Sequence, residues 1–313
     1  MSFVLVLAGG PSYERDVSLA SGRRIMEALN VQGYETALCD VDQALIPRLV
    51  EDPPDAVVLA LHGAPGEDGP LRAVLELYGI PYVGSDPRGA RLSWDKAAAK
   101  GQLQAAGIRT PRWITLAPDT FRDLGGEQLV EAVTASFGLP LVVKPVRGGS
   151  GLGLRVVREA DDVASALMNC FSYDSSALIE QHVEGIDIAV SVFDGPQGPR
   201  ALPCVEIEPL SGSYDYAARY SAGHSRWHVP ARLPVDQLAA LGALAVRVHE
   251  TLQLRDLSRV DLIVDAQKKP WVLEAEVSPG MTETSLFPLA GQAAEHELGD
   301  MLSLLVEKAI ARQ

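Results

Sequence analysis

The chain has 313 residues, a formal net charge of −14 and a hydrophobic fraction of 47%. This length allows two or three domains with a large apolar core, and the composition is that of an ordinary globular protein. The acidic charge argues against nucleic acid as a partner, because binding a phosphate backbone needs a basic surface. An anionic nucleotide can still bind through a local basic pocket or a metal ion.

Three cysteines, Cys39, Cys170 and Cys204, lie far apart and show no metal-binding spacing. An odd number of isolated cysteines is typical of a reducing compartment, so we expect buried, unpaired thiols. The apolar stretch 3–8 is too short for a signal sequence, and no apolar run approaches the ~18 residues of a membrane span. We therefore expect a cytoplasmic protein without a membrane segment.

Strand and helix signals alternate over the first part of the chain, which predicts a parallel βαβ series. The predicted strands are 3–8, 35–39, 56–61 and 81–83, and the predicted helices are 17–29, 43–50 and 70–78. Beyond them the order of elements changes, and a helix over 93–106 is expected to end at Gly107.

An α+β unit is predicted next. Its strands are 113–116, 141–145, 154–157 and 177–181, and its helices are 127–136 and 161–171. The remainder is strand-rich at first and ends in two helices, 235–252 and 292–312. We therefore predict three domains, 1–92, 93–184 and 185–313.

Two runs near the C-terminus, 259–265 and 271–277, predict a hairpin because a polar turn separates them. Side chains alternate between the two faces of a strand, so one face of the second strand should meet the core. The side chains expected on that core face are Leu273, Ala275 and Val277.

The opposite face of this hairpin gathers Asp261, Glu274 and Glu276. Carboxylates at such short distances repel one another, which raises the pKa of each and favours its protonation. A divalent cation removes this repulsion, and hard oxygen ligands suit Mg²⁺ or Mn²⁺. The alternative interpretation is a solvated acidic face on an edge hairpin.

The glycine-rich run 148–153 joins two predicted strands. A P-loop and a dinucleotide fingerprint both lead into a helix, so neither motif fits. A hairpin loop with many free amide groups can instead fold over phosphates, and Lys144 just before it adds a suitable charge. The alternative is a flexible hairpin tip without a ligand.

Two loops after predicted N-terminal strands are candidate ligand sites. In 9–16, Pro11 and Tyr13 replace fingerprint glycines and exclude NAD binding, while Glu14 suits an ammonium group or serves as a helix N-terminal charge. In 61–69, His62 is either a ligand-binding or a structural histidine. A third segment, 213–220, is rich in tyrosine. We interpret it either as a loop that covers an active site or as a well-packed surface loop.

These segments, in this order, resemble the D-alanine–D-alanine ligase family of the ATP-grasp superfamily, over essentially the whole chain. The matching motifs are GGxSxERxVSLxSG at 9–22, ALHGxxGEDG at 60–69, Asp95-Lys96, Lys144-Pro145, SG at 211–212, YDY at 214–216, Arg259-x-Asp261, LEAxxSPGMT at 273–282 and Ser285-Leu286. The resemblance implies an ATP-grasp fold of mixed α/β and α+β type. Its parts are an N-terminal parallel βαβ domain, a central α+β domain that binds ATP and a C-terminal α+β domain.

The resemblance also implies ligand contacts and a reaction for peptidoglycan precursor synthesis in a homodimer. ATP lies between the central and C-terminal domains, its γ-phosphate is attacked by one D-alanine carboxylate, and a second D-alanine amine displaces phosphate from the acyl phosphate. The implied ATP contacts are Lys96, Lys144, Gly149, Ser150, Gly151, Glu180, Val183 and Asp187, with two Mg²⁺ or Mn²⁺ ions on Asp261, Glu274 and Glu276. The implied catalytic and substrate contacts are Glu14, His62, Ser150, Tyr220, Arg259, Gly280, Ser285 and Leu286.

Several positions depart from the family pattern. Glu276 replaces an asparagine at the metal, and 148–151 reads Gly-Gly-Ser-Gly rather than Glu-Gly-Ser-Ser. Arg219 replaces a lysine, and Gln181 stands where a lysine is common near the adenine. These departures leave open the alternative that the chain is a ligase for another dipeptide or depsipeptide. A non-catalytic nucleotide-binding regulator is disfavoured because Lys144, Arg259, Asp261 and Glu274 are all present.

Overall fold

The computed structural model describes residues 2–210 and 223–312. Within these ranges the strands form three sheets. We call them the first, second and third sheet in chain order. No helix of the described residues is long and apolar enough to cross a membrane.

The first sheet is parallel, with strand order β2-β1-β3-β4. Its elements are β1 (Phe3–Leu7), α1 (Arg15–Val31), β2 (Glu35–Cys39), α2 (Leu45–Glu51), β3 (Ala56–Leu59), α3 (Pro70–Leu77) and β4 (Tyr82–Val83). Val4 and Val6 face a core shared with α1, whereas Leu5 and Leu7 face a second core shared with α2 and α3. Both faces of β1 are covered, which explains its uninterrupted apolar sequence.

The second sheet is antiparallel, with strand order β5-β8-β6-β7. Its strands are β5 (Trp113–Leu116), β6 (Leu141–Pro145), β7 (Arg155–Val157) and β8 (Ala177–Gln181). The helices between the first sheet and β8 are α4 (Pro87–Trp94), α5 (Lys96–Ala105), α6 (Pro118–Asp123), α7 (Gly126–Phe137) and α8 (Asp162–Cys170).

The predicted helix 93–106 is therefore wrong, because two helices meet at Asp95. The backbone of Asp95 is extended, and its side chain accepts a hydrogen bond of 2.9 Å from the Ala98 amide. An aspartate at this position satisfies an amide that the first turn leaves unpaired, so it begins a new helix.

The third sheet has strand order β12-β11-β9-β13-β14, with β10 paired to β9. Its strands are β9 (Gly185–Gly195), β10 (Gly198–Ala201), β11 (Val205–Pro209), β12 (Ser225–His228), β13 (Leu257–Asp265) and β14 (Pro270–Glu276). The helices are α9 (Val235–Thr251), α10 (Leu286–Ala293) and α11 (Leu298–Ile310). The predicted helix 292–312 is thus also wrong. Glu295 has a φ of +60° between α10 and α11, a conformation that cannot continue a right-handed helix.

The β13–β14 hairpin forms as predicted but contains a bulge. Asp261 pairs with Glu274 and Leu262 pairs with Val272, so Leu273 is an extra residue on β14. Val272 takes the core position with no exposed surface, whereas Leu273 lines a cleft. The prediction that Leu273 faces the core is wrong because the bulge shifts the alternation by one residue; Ala275 and Val277 are buried as predicted.

Two polar contacts join the end of this hairpin to the first sheet. The Ser278 hydroxyl donates to the Leu61 carbonyl at 3.0 Å, and the Met281 amide donates to the Ser21 hydroxyl at 3.1 Å. Both serines are buried. The loop after β3 and the segment after β14 therefore lie side by side, although more than two hundred residues separate Leu61 from Ser278 along the chain.

Candidate active site

Two adjoining clefts lie where the glycine-rich loop meets the β13–β14 hairpin. The first cleft has a volume of about 790 Å³ and the second about 630 Å³, each including space open to solvent. Four residues line both clefts: Lys96, Gly148, Gly149 and Glu274. These four residues therefore form a wall that the two clefts share.

The second cleft combines basic, acidic and apolar walls. Lys96, Lys144 and the loop residues Gly149 and Gly151 line one side, and Asp187 and Asp261 line another. The remaining walls include the apolar side chains of Ile188, Ile207, Leu262 and Leu273. Such a cleft can take a flat apolar group together with an anionic tail. The sequence-predicted ATP contacts Lys96, Lys144, Gly149, Gly151 and Asp187 meet here.

The glycine-rich loop is held from both sides. The Lys96 ammonium donates to the Gly148 carbonyl and lies 3.3 Å from the Glu274 carboxylate. Ser150 has a φ of +55°, and its hydroxyl donates a short hydrogen bond to the buried Glu14 carboxylate. The contact of Glu14 with Ser150 is thus present in the structure, while Glu14 also stands at the N-terminus of α1.

Glu180 lies between two buried ammonium groups. Lys144 approaches one of its oxygens at 2.6 Å, and Lys100 approaches the other at 2.8 Å. Burial raises the pKa of the Glu180 carboxyl, but the charges of both lysines outweigh it and lower the pKa below its usual value. Sequence reasoning missed Lys100, although it lies four residues after Lys96 and hence on the same face of α5.

Arg259 organises the hairpin carboxylates. Its guanidinium donates two hydrogen bonds to Asp261, at 2.7 Å and 3.0 Å, and also pairs with Glu276. The pairing follows from the ladder, where Arg259 lies opposite Glu276 and Asp261 opposite Glu274. The predicted gathering of Asp261, Glu274 and Glu276 on one face is thus present, but two cations, Arg259 and Lys96, are interleaved with them.

Among the described residues, the group whose possible metal-ligand atoms all lie within 4.8 Å of one another is His62, Glu67 and Glu276. Asp261 and Glu274 are not part of that group. Three carboxylates facing two cations still leave an excess of negative charge on hard oxygen donors. This donor set fits Mg²⁺ or Mn²⁺ in kind.

His62 is buried beside Glu67, which lines the first cleft. Its Nδ1 lies 3.6 Å from Glu67, and its Nε2 lies 3.3 Å from the Ser21 hydroxyl. Burial lowers the pKa of His62, but the hydrogen bond and charge of Glu67, together with the charges of Glu276 and Glu14, outweigh burial and raise it above its usual value. Burial raises the pKa of the Glu276 carboxyl as well, with Arg259 opposing the shift. Glu67 lines the first cleft, and sequence reasoning did not single it out.

Gly280, Ser285 and Leu286 line the far end of the first cleft, where α10 begins. The Ser285 hydroxyl accepts a hydrogen bond of 3.0 Å from the Thr282 amide. A side chain at Gly280 would collide with that hydroxyl, because a Cβ there would lie 2.6 Å from Ser285 Oγ. Unpaired amides at a helix N-terminus attract a carboxylate, as predicted for this position.

Four predicted contacts among the described residues do not line either cleft: Glu14, His62, Glu180 and Val183. The first three contact the lining residues Ser150, Glu67 and Lys144, respectively. Val183 lies in the connection between β8 and β9 and is not among the residues that line either cleft. Tyr220 and the aromatic segment 213–220 lie outside the described residues. Their predicted roles stay predictions.

Comparison with known proteins identifies the family. The family model described as D-ala D-ala ligase C-terminus matches residues 102–307. The chain is 41% identical to the D-alanine–D-alanine ligase of Pelotomaculum thermopropionicum, with 97% of this chain and 96% of the relative covered. It is 38% identical to the D-alanine–D-alanine ligase of Moorella thermoacetica, with 98% and 99% covered.

Comparison with a solved structure supports the same family at the level of the fold. The D-alanine–D-alanine ligase of Bacillus anthracis, complexed with ATP, superposes with a TM-score of 0.82 at 30% sequence identity, with 100% of this chain and 98% of that chain covered. The predicted ATP-grasp fold is confirmed by this likeness. The chain belongs to the D-alanine–D-alanine ligase family.

Proposed function

We propose that the chain joins two D-alanines into D-alanyl-D-alanine with ATP, as a step in peptidoglycan precursor synthesis. The observation that carries the proposal is the pair of clefts with a shared wall. One cleft offers lysines, glycine amides and an apolar wall, and the other offers Arg259 and a helix N-terminus. A nucleotide and an amino acid held there meet at the reacting phosphoryl group.

ATP occupies the second cleft in this proposal. Lys96, Lys144 and the amides of the glycine-rich loop bind its phosphates, and Asp187 binds the ribose. Glu180 and Val183 remain the proposed adenine contacts. Two Mg²⁺ or Mn²⁺ ions, held by Asp261, Glu274 and Glu276, would neutralise the charge on the phosphate oxygens when bound.

The amino acids occupy the first cleft. Glu14, oriented by Ser150, binds the ammonium of the first D-alanine, whose carboxylate then attacks the γ-phosphate to give an acyl phosphate and ADP. The Ser285 hydroxyl and the Leu286 amide bind the carboxylate of the second D-alanine, whose amine displaces phosphate. Catalysis of this kind depends on positioning and on stabilising developing charge.

Arg259 is the residue proposed to meet that developing charge. Its planar guanidinium suits both the transferring phosphoryl group and the oxyanion of the tetrahedral intermediate. His62, paired with Glu67, completes the substrate end of the cleft. Tyr220 is proposed to join Glu14 and Ser150 in holding the first substrate.

The experiment is ATP-dependent phosphate release from the purified chain with D- and L-amino acids and D-lactate, alone and in pairs. We expect D-alanine alone to give the highest rate and D-alanyl-D-alanine as product. A higher rate with D-alanine paired to another amino acid or a hydroxy acid would replace this function with the alternative ligase. No release with any pair would contradict ligase activity altogether.

The assembly, location and domain division of the chain are also proposed. We propose a homodimer in the cytoplasm, and domains 1–92, 93–184 and 185–313. The division is supported by the three sheets, whose strands lie in Phe3–Val83, Trp113–Gln181 and Gly185–Glu276. Sedimentation equilibrium tests the dimer, and limited proteolysis tests the boundaries.

A further inference from the structure

Helix α1 holds the segment that leads into α10. Ser21 and Arg24 lie three residues apart, and hence on one face of α1. The Arg24 guanidinium donates one hydrogen bond to the Met281 carbonyl at 3.1 Å and another to the Thr282 carbonyl. The Ser21 hydroxyl accepts a hydrogen bond of 3.1 Å from the Met281 amide. Both the amide and the carbonyl of Met281 are therefore bound by α1, although more than two hundred residues separate them along the chain.

The segment 281–285 forms a closed turn. The Ser285 amide donates to the Thr282 carbonyl at 3.1 Å, and the Thr282 amide donates to the Ser285 hydroxyl at 3.0 Å. The hydroxyl oxygens of these two residues lie 2.8 Å apart. The Thr282 carbonyl thus accepts hydrogen bonds from Arg24 and from the Ser285 amide, so Arg24 contacts the same oxygen that closes the turn.

The position of this turn determines what α10 presents to the first cleft. Helix α10 begins at Leu286, directly after Ser285, and both residues line that cleft. A displaced turn would move the Ser285 hydroxyl and the first amides of α10 together, because they follow Thr282 directly along the chain. An arginine suits the task of holding it, since the planar fork of N–H donors reaches two acceptors at once and stays charged at neutral pH.

We propose that Arg24 is a positioning residue for the carboxylate of the second amino acid. It fixes the 281–285 turn, and the turn keeps the Ser285 hydroxyl and the N-terminus of α10 at the first cleft. Arg24 itself lines neither cleft, so its effect passes through the turn. This inference rests on the proposed function and adds to it a residue that lies outside both clefts.

Three variants make the test. Arg24→Met removes the donors at a similar side-chain length, Arg24→Lys keeps one charged donor group, and Arg23→Met, at the exposed neighbour on α1, is the matched control. Initial rates of phosphate release over a wide range of D-alanine concentration give separate half-saturation constants for the first and the second D-alanine.

We expect Arg24→Met to raise the constant of the second D-alanine about tenfold, because its carboxylate site is no longer held in place. The constants of the first D-alanine and of ATP, and the rate at saturation, should change by less than about threefold. Arg24→Lys should recover part of the loss, since it can still donate to one carbonyl. Arg23→Met should match the wild type.

Hydrogen–deuterium exchange gives a readout that does not depend on turnover. In Arg24→Met the amides of Thr282 and Ser285 should exchange faster than in the wild type, because their turn loses its contact with α1. The amides of β13 and β14 should exchange at unchanged rates. Unchanged exchange of Thr282 and Ser285 would contradict the inference.

An unchanged constant of the second D-alanine in Arg24→Met would also overturn it. An equal rise of all three constants together with a lowered melting temperature would assign Arg24 to the stability of the fold alone. If Arg24→Met does not fold, Arg24→Lys takes its place, and an unchanged second constant in that variant would contradict the inference. A wild type that releases no phosphate with D-alanine would instead overturn the proposed function, whereas the exchange experiment would still show whether Arg24 holds the turn.

Discussion

Arg259 binds two carboxylates in the structure. It can therefore act in catalysis, as proposed, or only stabilise the hairpin, and a substitution has to distinguish these two roles. It pairs with Asp261 through two hydrogen bonds and also with Glu276, and only 7% of its surface is exposed. A lysine at this position keeps the charge that both carboxylates need. It loses the planar geometry that can contact two oxygens at once.

We expect Arg259→Lys to lower kcat by about 10²–10³, because the guanidinium meets charge that develops in the transition state. The dissociation constant of ATP should change by less than about tenfold. Single-turnover rates, ATP titration and melting temperature on one preparation check this. Arg232→Lys, at an arginine that pairs with Glu206 and Glu208, is the matched control and should keep its rate.

A near-normal single-turnover rate in Arg259→Lys would contradict the catalytic role. A lowered melting temperature with an unchanged rate would assign Arg259 to the stability of the hairpin alone.

His249 is a buried histidine whose ionisation is linked to folding. It is 2% exposed and hydrogen-bonded to the Ser258 hydroxyl at 2.8 Å. Burial lowers its pKa from 6.5 to about 4. The unfolded chain therefore binds a proton more readily than the folded protein between these two values.

Stability from His249 is fully present above pH 6.5 and is lost as the pH falls toward 4. The full loss is about 3 kcal/mol, from about 1.4 kcal/mol for each pKa unit. Urea unfolding at several pH values in this window measures it. The free energy of unfolding of His249→Gln should vary less over the same pH window. If it changed with pH as steeply as in the wild type, His249 would not be the source of the pH dependence.

At the scale of elements, the β13–β14 hairpin combines the proposed metal ligands and the proposed catalytic arginine in one ladder. Asp261 faces Glu274 in that ladder and Arg259 faces Glu276. Glu276 stands where the resemblance implies an asparagine, so it adds charge to a proposed donor set that already contains two carboxylates.

We expect Glu276→Asn to keep a strict requirement for a divalent cation, because Asp261 and Glu274 remain and an amide oxygen is also a suitable ligand. The Mg²⁺ concentration at half-maximal rate should rise by less than about tenfold, because two of the three carboxylates remain. A tenfold change corresponds to about 1.4 kcal/mol of binding free energy. Mn²⁺ binding in the presence of ADP, followed by electron paramagnetic resonance, gives a readout independent of turnover. Turnover of the variant in EDTA, or ADP affinity indifferent to Mg²⁺, would count against this site.

Strands were easier to predict from the sequence than helix breaks. The predicted strands 35–39, 113–116 and 177–181 have the observed bounds, because apolar runs between turn residues are a local signal. The breaks near 95 and 295 depend on capping and on a positive φ, which helix periodicity does not show. Sequence reasoning merged a helix across each of them.

Some residues of the candidate site could likewise be predicted from the sequence, and others could not. Lys96, Lys144 and Arg259 lie within motifs, so the resemblance found them and the clefts bring them together. Lys100 is next to the site only through its ion pair with Glu180, which lies on β8, far along the chain. The displacement of Leu273 results from a bulge, which the alternating pattern of β14 conceals.

At the scale of the whole molecule, a buried aspartate ties the chain's C-terminus to the first sheet. Asp256 has no exposed surface, and it accepts hydrogen bonds of 2.6 Å and 2.8 Å from Arg312 and of 2.8 Å from the Gly84 amide. Arg312 also donates to the Tyr82 carbonyl of β4 at 2.9 Å. The start of β13, the end of the first sheet and the segment after α11 therefore meet at Asp256.

We expect Arg312→Ala to lower the free energy of unfolding by about 1–3 kcal/mol, because it leaves a buried carboxylate without its charged donor. Arg122→Ala is the control, since Arg122 pairs with Asp119 and Asp123 but is 70% exposed. An exposed pair of this kind contributes roughly 0–1 kcal/mol. Urea unfolding of both variants checks the difference, and equal losses would mean that burial of Asp256 adds nothing.

The wall shared by the two clefts has a consequence for inhibitors. Because Lys96, Gly148, Gly149 and Glu274 line both spaces, a single molecule can carry a purine-like group into one and an amino-acid group into the other with only a short connection. The second group then binds at a high effective concentration, without a second loss of translational freedom. Compounds that span the wall should therefore bind more tightly than their two halves given together.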